Sequence, residues 1–586
     1  MDPVEYTVEL RDRHAHLYAV EARFPSGGAL LDLKLPVWTP GSYLIREYPR
    51  HVQEVSADDG EGRALAVSKR DKATWQVDAR DARRIRVRYR VYAYDLTVRA
   101  AHLDDTHGFW NGACLFLYMD ALAGRPARVT VNAPDGWRTT VALDAAPGEP
   151  HTFVAANYDE LVDSPFEVGT HELVEFTALD KPHRLAIWGG VDKPRGELTA
   201  DISKIIETHA ALFGGVPYSD YTFILLSAPN CYGGLEHARS STLLTSPFAF
   251  APRKKYEEFL ELVSHEFFHL WNVKRIHPDA LGPFDYQREA YTRSLWVMEG
   301  VTSYYDRYAL VRAGLQKPKA YLDKLGEELA KIAAIPGRFR QSLEESSFDA
   351  WIKLYRPDEN SVNSTISYYL KGGVVALLLD LEIRSRTMGE RTLDDAMRLL
   401  WKRFGARGAG FADGDVQRLV EEAAGVELGG FFERFVRGRG ELDAEPLLRT
   451  VGLGLERAHD GVEEGEPVPG WLGATLKDGD AGVVVSGALD GGPAAEGGLY
   501  ANDEIIAYGG YRVDLSALKD RLAATRPGDR VALTVFRRDE LRAVEITLGE
   551  RPHDKLSVVP VEDPTDGERA AYKAWLGEEL PKRDAE

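Results

Sequence analysis

The feature that most constrains this chain is a His-Glu-x-x-His pattern inside a predicted helix. Between residues 256 and 274 apolar side chains recur every three or four positions, which is typical of a helix with one buried face. His265 and His269 then lie one turn apart on the same side, where two imidazoles can reach a single Zn²⁺. Glu266 can reach a water molecule on that metal. The pattern therefore predicts a zinc peptidase, whose metal lowers the pKa of the attacking water.

A catalytic zinc needs a third protein ligand, and two downstream glutamates could supply it. The interval after His269 slightly favours Glu289, which is the nearer of the two. Glu299 lies in the apolar stretch 295–305, where an unpaired carboxylate would be costly, whereas Glu289 follows Arg288. We therefore expect Glu299 to be the ligand. The alternative is a helix with two histidines and no metal, and the downstream residues that the chemistry needs argue against it.

Length, charge and cysteine content exclude several other classes. At 586 residues the chain is too long for a single core, so two to four domains are expected. A net charge of −20 argues against nucleic acid or an anionic membrane as partner. Cys114 and Cys231 are too few for a disulfide framework or a cysteine zinc site. Without an apolar run of 18 residues or a signal-peptide pattern at the N-terminus, we expect a cytoplasmic protein.

The pattern of predicted elements indicates a multidomain α+β protein. Residues 1–170 alternate apolar with polar side chains and predict an antiparallel β domain. Residues 171–455 continue with a few strands and then turn helical, and we assign them to a catalytic domain of thermolysin-like layout. After an acidic, glycine-rich linker, short strands predict a PDZ-like β domain over residues 466–552. Residues 553–586 form a charged tail with one short helix.

Four separated motifs resemble those of a known family. His-Glu-x-x-His followed by Leu-Trp-x-x-Glu-Gly-x-x-Ser-Tyr resembles the aminopeptidase N class of zinc peptidases. Trp-Thr-Pro-Gly-Ser-Tyr at residues 38–43, Gly-Gly-Leu-Glu-His at residues 233–237 and the PDZ-like module make the chain similar to the glycyl aminopeptidases. This resemblance implies one Zn²⁺ per chain, bound by His265, His269 and Glu299, with Glu266 as general base.

The resemblance also implies residues that contact substrate. Gly233, Gly234 and Glu236 match a loop whose glutamate pairs with the α-ammonium of a peptide, although histidine replaces the usual asparagine at position 237. A carboxylate in a closed pocket would compensate the buried cation and restrict cleavage to the chain end. Tyr369 lies in a Tyr-x-Lys-Gly motif whose phenol stabilises the oxyanion, with Tyr368 as the competing candidate.

The PDZ-like module contains a candidate peptide-binding loop. PDZ domains use backbone N–H groups of a Φ-Gly-Φ loop to hold a peptide carboxylate, and Leu472, Gly473 and Ala474 fit that pattern. Asn502 replaces a glycine of the usual Gly-Asp pair, which is tolerable because asparagine also adopts positive φ. The module could equally pack against the catalytic domain without binding any ligand.

These observations predict a zinc aminopeptidase that acts on peptides with a free N-terminus. The family resemblance implies a preference for small N-terminal residues such as glycine and alanine. Two other functions stay open, namely a zinc endopeptidase that captures substrate tails with its PDZ-like domain, and a peptide-binding scaffold without catalysis.

Overall fold

The computed structural model describes residues 2–80, 82–463 and 465–583 of the chain. These residues pack into two compact units. Unit 1 contains Met1–Thr292, Tyr305–Gln316 and Met397–Asp413, and unit 2 contains Arg293–Tyr304, Lys317–Ala396 and Gly414–Glu586. The division into four ranges in chain order stays a prediction.

The N-terminal part of unit 1 is built of β-strands, as predicted. Its largest sheet has eight strands, in the order Asp144–Ala145, Thr152–Ala155, Ala127–Asn132, Val4–Asp12, Leu17–Pro25, Arg84–Tyr92, Val52–Asp58, Ala64–Leu65. Alternate residues of Val4–Asp12 are buried, which matches the sequence pattern and gives the sheet its core face. One pairing differs from the expected antiparallel arrangement, because Val4–Asp12 runs parallel to Ala127–Asn132. Parallel neighbours need a long connection, and more than a hundred residues separate these two strands.

Two smaller sheets complete this β region. A four-stranded sheet has the order Arg138–Thr140, Phe166–Gly169, His107–Trp110, Ala101–Leu103, and a three-stranded sheet has the order Leu30–Lys34, Thr74–Asp78, Val67–Lys69. The four-stranded sheet is antiparallel throughout. Its strands are largely buried, so several of its polar side chains must find partners inside the protein.

The rest of unit 1 combines a mixed sheet with long helices. The sheet has five strands in the order Glu172–Ala178, Lys181–Gly189, Tyr221–Ser227, Ser240–Thr245, Gly233–Glu236, with the glycine-rich strand at one edge. The long helices before residue 270 are Arg195–Phe213 and Arg253–Phe268, and Tyr158–Val162 is a shorter one. The last helix packs against the strands Gly233–Glu236 and Ser240–Thr245, which brings the two central sequence motifs together.

The helical region that the sequence predicts after residue 253 is confirmed. It contains a π-helical turn at Trp296–Gly300 and a second one at Phe432–Arg437. Its α-helices after the first turn are Val301–Arg312, Pro318–Ala333, Leu343–Phe348, Ser361–Ser364, Leu370–Arg386, Leu393–Arg403, Asp415–Ala424, Gly429–Phe431 and Glu445–Arg449. Among the described residues, no helix combines the length and the apolar composition needed to cross a bilayer.

The C-terminal β module of unit 2 is also confirmed. Its six-stranded sheet follows the order Ala474–Asp478, Val483–Ala488, Glu504–Tyr508, Arg530–Arg537, Glu540–Thr547, with Tyr511–Arg512 paired to the third strand. The helices Pro493–Glu496 and Leu515–Ala523 accompany the sheet. A separate pair of strands, Leu453–Ala458 and Lys555–Pro560, and the helix Asp566–Leu576 complete the unit. The apolar core of the module is continuous and includes Leu472 of the candidate loop.

Candidate active site

The helix Arg253–Phe268 presents the first two predicted metal ligands. Its buried apolar residues include Tyr256, Phe259, Leu260, Val263 and Phe267. The helix ends six residues before the predicted position 274, because the N–H groups of Leu270 and Trp271 donate to carbonyls three residues earlier and close a tighter turn. His269 still keeps helical dihedral angles and donates its N–H to the carbonyl of His265. The two imidazole centres therefore lie 4.7 Å apart, one turn from each other.

Both imidazoles are oriented through their Nδ1 atoms. His265 Nδ1 lies 2.9 Å from Asp306 Oδ2, and His269 Nδ1 lies 2.7 Å from the carbonyl oxygen of Asn272. Acceptors at Nδ1 place the proton there, so Nε2 is the nitrogen of each ring that can bind a metal. Sequence reasoning missed Asp306, because nothing in its local pattern points to a histidine 41 residues earlier.

Glu266 lies directly against the glycine-rich edge strand. It is buried, and a Cβ built on Gly234 would lie 1.9 Å from its Oε1. Any larger residue than glycine at position 234 would therefore displace the Glu266 carboxylate. Ligand atoms of Glu236, Glu266 and His269 all lie within 4.8 Å of one another. The two motifs that the sequence separates by about 30 residues thus form one group.

Glu236 is buried, and one of its carboxylate oxygens has no partner among the described residues. It is only 3% exposed, and its Oε1 has no hydrogen-bond partner there. Gly41 of the 38–43 loop comes so close that a Cβ at this position would lie 2.6 Å from both carboxylate oxygens of Glu236. Gly41 also has a φ of +82°, which favours glycine for a second reason. The loop is packed through buried Trp38 and Tyr43, and it also forms a wall of the Glu236 pocket.

The residues after Glu236 are held by a buried carboxylate. Asp163 accepts hydrogen bonds from the N–H of Ala238 at 2.8 Å and from His237 Nδ1 at 3.2 Å, and it pairs with Lys274 Nζ at 2.6 Å. Burial alone would raise the pKa of Asp163, but the Lys274 ammonium and the His237 hydrogen bond lower it to about 2. His237, the departure from the usual asparagine, therefore anchors the turn that follows Glu236.

Gly233 begins the edge strand next to Arg99. The Arg99 guanidinium donates to the carbonyl of Gly234 at 3.2 Å, and it is the nearest group to a Cβ built on Gly233, at 3.6 Å. A side chain at Gly233 would fit without a steric clash. Of the two glycines predicted to contact substrate, Gly234 is therefore the one whose lack of a side chain the packing requires.

Glu299 and Tyr369 are neighbours within unit 2. Glu299 lies in the π-helical turn Trp296–Gly300 and is 2% exposed. The next residue, Gly300, crosses the helix Leu370–Arg386 so closely that its Cβ would lie 2.6 Å from the Cα of Gly372. Burial, the Glu299 charge and nearby tyrosines raise the pKa of Tyr369 well above its usual value, so this phenol stays protonated. Its hydroxyl lies 3.0 Å from that of Tyr355.

The competing candidates have different surroundings. Glu289 is half-buried in an irregular segment, and it is in none of the groups of three His, Cys, Asp or Glu ligand atoms that the described residues form within 4.8 Å. Its neighbour Arg288 pairs with Asp285 instead. Tyr368 is fully buried, and its hydroxyl lies 3.4 Å from that of Tyr355.

The candidate PDZ loop begins in the apolar core of its module. Leu472 is buried in the core of the module, and Gly473 has a φ of +70°. Asn502 has a φ of +68°, so it adopts the conformation for which a glycine is usual. Asp503 beside it is buried and pairs with Arg537 at 2.7 Å. Peptide binding by Leu472, Gly473 and Ala474 stays a prediction.

Family models match three parts of the chain. The peptidase M61 N-terminal domain matches residues 5–170, the M61 glycyl aminopeptidase model matches residues 258–375, and a PDZ domain model matches residues 470–548. A crystal structure of an aminopeptidase N family protein from Idiomarina loihiensis is 34% identical. The match has a TM-score of 0.91 and covers 98% of this chain and 100% of that one.

Two other relatives are more distant. An M1 zinc metallopeptidase from Deinococcus radiodurans is 14% identical, with a TM-score of 0.47, over 75% of this chain and 94% of that one. A probable periplasmic serine endoprotease, DegP-like, from Brucella suis biovar 1 (strain 1330) is 32% identical over 107 residues, which are 16% of this chain. The chain spans about a fifth of the length of such curated relatives.

Proposed function

The chain belongs to the M61 glycyl aminopeptidase family, and on this basis we propose that it is a zinc aminopeptidase that removes small N-terminal residues, glycine and alanine, from peptides. The predicted family resemblance is confirmed, and so is the presence of a PDZ domain. Family membership makes the protein a peptidase. The zinc requirement, the residue roles and the preference for small residues are the parts that we propose.

The observation that carries the proposal is the buried Glu236 carboxylate beside Glu266 and His269. An ionised carboxylate without a hydrogen-bond partner is costly in the interior of a protein. The α-ammonium of a peptide would compensate it and would hold the first peptide bond near Glu266. A substrate with a blocked N-terminus would leave Glu236 unpaired. This arrangement favours removal of single N-terminal residues over cleavage inside a chain.

We assign the metal to His265, His269 and Glu299. Imidazoles oriented through Nδ1 and a carboxylate in an apolar environment are the donor set that zinc prefers. Glu299 precedes Asp306, the partner of His265, by seven residues in the continuous helical stretch from Trp296 to Arg312. Two turns of a helix return a side chain to about the same face, which supports Glu299 as the third ligand. The zinc, when bound, would polarise the scissile carbonyl and lower the pKa of the attacking water.

The protein residues then have separate roles in the reaction. Glu266 accepts the proton of the attacking water and delivers it to the leaving amine. Tyr369 stays protonated and donates a hydrogen bond to the oxyanion, a contribution of roughly 2–4 kcal/mol to the transition state. Glu236 binds the α-ammonium and does not exchange protons with the reacting atoms. We propose that the PDZ domain binds the C-terminal segment of a peptide through Leu472, Gly473 and Ala474.

Substrates with free and blocked N-termini test this function. We expect glycyl- and alanyl-nitroanilides to be hydrolysed by the purified full-length protein, and their N-acetyl derivatives to be rejected, because acetylation removes the cation that Glu236 needs. Chelation should abolish the hydrolysis and added Zn²⁺ should restore it. Equal rates for free and blocked compounds would support an endopeptidase instead. Full activity in protein that elemental analysis shows to be free of metal would exclude zinc catalysis.

A further inference from the structure

A second group of potential metal ligands lies in the N-terminal β region, which the proposed aminopeptidase reaction does not use. His102 and His107 belong to the strands Ala101–Leu103 and His107–Trp110, which form an antiparallel hairpin, and Asp104 lies in the turn between them. One ligand atom of each residue lies within 4.8 Å of those of the other two. We name His102, Asp104 and His107 the hairpin cluster.

The hairpin cluster buries an imidazole nitrogen that has no partner among the described residues. His107 is completely buried, and its Nε2 has no hydrogen-bond partner there. A buried polar atom without a partner is costly, and native proteins rarely keep one without a reason. A cation bound between the two rings would supply the missing partner.

The other ring nitrogen of His107, Nδ1, contacts a carboxylate, as the second nitrogen of metal-binding histidines often does. Its Nδ1 lies 3.1 and 3.2 Å from the two carboxylate oxygens of Glu167, which is itself completely buried on the neighbouring strand Phe166–Gly169. A carboxylate at Nδ1 keeps the proton on that nitrogen, orients the ring and makes Nε2 the ligand atom. The indole of Trp188 stacks on the His107 ring at 3.7 Å and closes one side of the cluster.

Asp104 supplies an ordered oxygen at the open side of the hairpin cluster. Its Oδ1 accepts hydrogen bonds from the backbone N–H groups of Thr106 at 2.7 Å and of His107 at 3.0 Å, which fixes the carboxylate. Its Oδ2 lies 3.1 Å from His102 Nε2. Two atoms bound to one tetrahedral zinc at about 2.0–2.1 Å lie roughly 3.3 Å apart, so this spacing suits a shared ion. Partial exposure of the Asp104 side chain leaves a path for entry.

We propose that His102, Asp104 and His107 bind one divalent transition-metal ion, for which Zn²⁺ is the natural probe. Two imidazoles and one carboxylate are suited to a borderline cation such as zinc, and not to calcium or magnesium, which prefer oxygen ligands. The ion ties the turn at Asp104 to the buried strand of His107, and Glu167 is the positioning residue that orients His107.

The test measures zinc in full-length protein whose active-site histidines are removed. In the H265A/H269A background we expect one zinc per chain after equilibrium dialysis against Zn²⁺, measured by elemental analysis. Asp104→Asn should lower this to near zero, because the amide is a poor zinc ligand. Asp105→Asn is the matched control, since Asp105 is the exposed neighbour in the same turn and should leave the zinc in place. Far-UV circular dichroism checks that each variant is folded.

A second readout distinguishes binding at the hairpin cluster from binding elsewhere. Added Zn²⁺ should raise the Tm of the background protein and of its Asp105→Asn variant, and should not raise that of Asp104→Asn. If Asp104→Asn fails to fold, His102→Gln replaces it, and this variant should likewise lose the zinc and the Zn²⁺-dependent rise in Tm. Folded background protein without zinc, or an Asp104→Asn variant that keeps its zinc and its Tm increase, would overturn the proposal.

Discussion

Two regions of this protein bring histidines and carboxylates together, and they do so by different means. In the active-site group, His265, Glu266 and His269 come from a single helix, and Glu236 comes from a strand packed against it. In the hairpin cluster, the ligands come from two paired strands and a turn. Helical spacing makes His265, Glu266 and His269 recognisable in five consecutive residues, whereas the hairpin cluster depends on which strands pair.

The chemistry of the two regions is related but not equal. Each has an imidazole whose Nδ1 is held by a carboxylate, His265 by Asp306 and His107 by Glu167. Each also buries polar atoms without a partner among the described residues, including Oε1 of Glu236 in the first region and Nε2 of His107 in the second. The Glu236 oxygen would be compensated by the cationic N-terminus of a substrate, and the lone pair of His107 Nε2 would be compensated by a metal ion. The active-site group also contains Glu266, the carboxylate that we propose as the general base, within 4.8 Å of Glu236 and His269.

The largest expected effect follows from removing Glu299, the proposed third ligand of the active-site zinc, and it should spare the zinc of the hairpin cluster. Glu299→Ala should lose the active-centre zinc and reduce hydrolysis to background, because two imidazoles alone hold the metal poorly. The zinc of the hairpin cluster should remain. Glu289→Ala is the control, and we expect it to keep both zinc ions and its activity. Elemental analysis and nitroanilide hydrolysis measure the outcome, and the reverse pattern would make Glu289 the ligand.

The second prediction compares Glu266, beside the active-site histidines, with Glu167, beside His107. Glu266→Gln should retain zinc and its Tm while kcat falls by about 10²–10⁴-fold, because the proton acceptor is lost. Glu167→Ala should leave kcat unchanged and lower the free energy of unfolding by about 1–3 kcal/mol, since buried His107 loses its partner. Kinetics and chemical denaturation of both variants measure the contrast. Loss of kcat in Glu167→Ala would show that the two regions are coupled.

The smallest of the three effects concerns the substrate's ammonium. Glu236→Gln should lower kcat/KM for free-amine substrates by an amount equivalent to roughly 2–5 kcal/mol, because a buried cation would lack its counter-charge. Discrimination against N-acetylated substrates should shrink at the same time. Glu175→Gln, on an exposed position of the same sheet, is the control and should change neither quantity. A Glu236→Gln enzyme that rejects blocked substrates as strongly as the parent would exclude Glu236 as the N-terminal anchor.

Much of the fold could be read from local patterns. Alternation of apolar and polar residues predicted β-strands in the first 170 residues, such as Arg84–Tyr92, and the later part of residues 171–455 was predicted to be helical, as the helix Leu370–Arg386 is. The end of the helix Arg253–Phe268 was misjudged, because a buried face continues past the point where the backbone tightens. The π-helical turn around Glu299 had no signal at all, since an extra residue in one turn leaves the composition unchanged.

The sequence by itself predicted the residues whose proposed roles depend on short spacing, namely His265, Glu266 and His269, and the order of the motifs around them. Their i, i+4 relation is a property of any helix, so it survives whatever the helix packs against. Tertiary structure decided which distant residues contact the active-site group. Asp306 accepts a hydrogen bond from His265, Gly41 packs against Glu236, and Asp163 accepts a hydrogen bond from the backbone just after Glu236. Strand pairing likewise brought Glu167 to His107. Such contacts join residues far apart in the chain, and only the packing of the folded elements sets their distances.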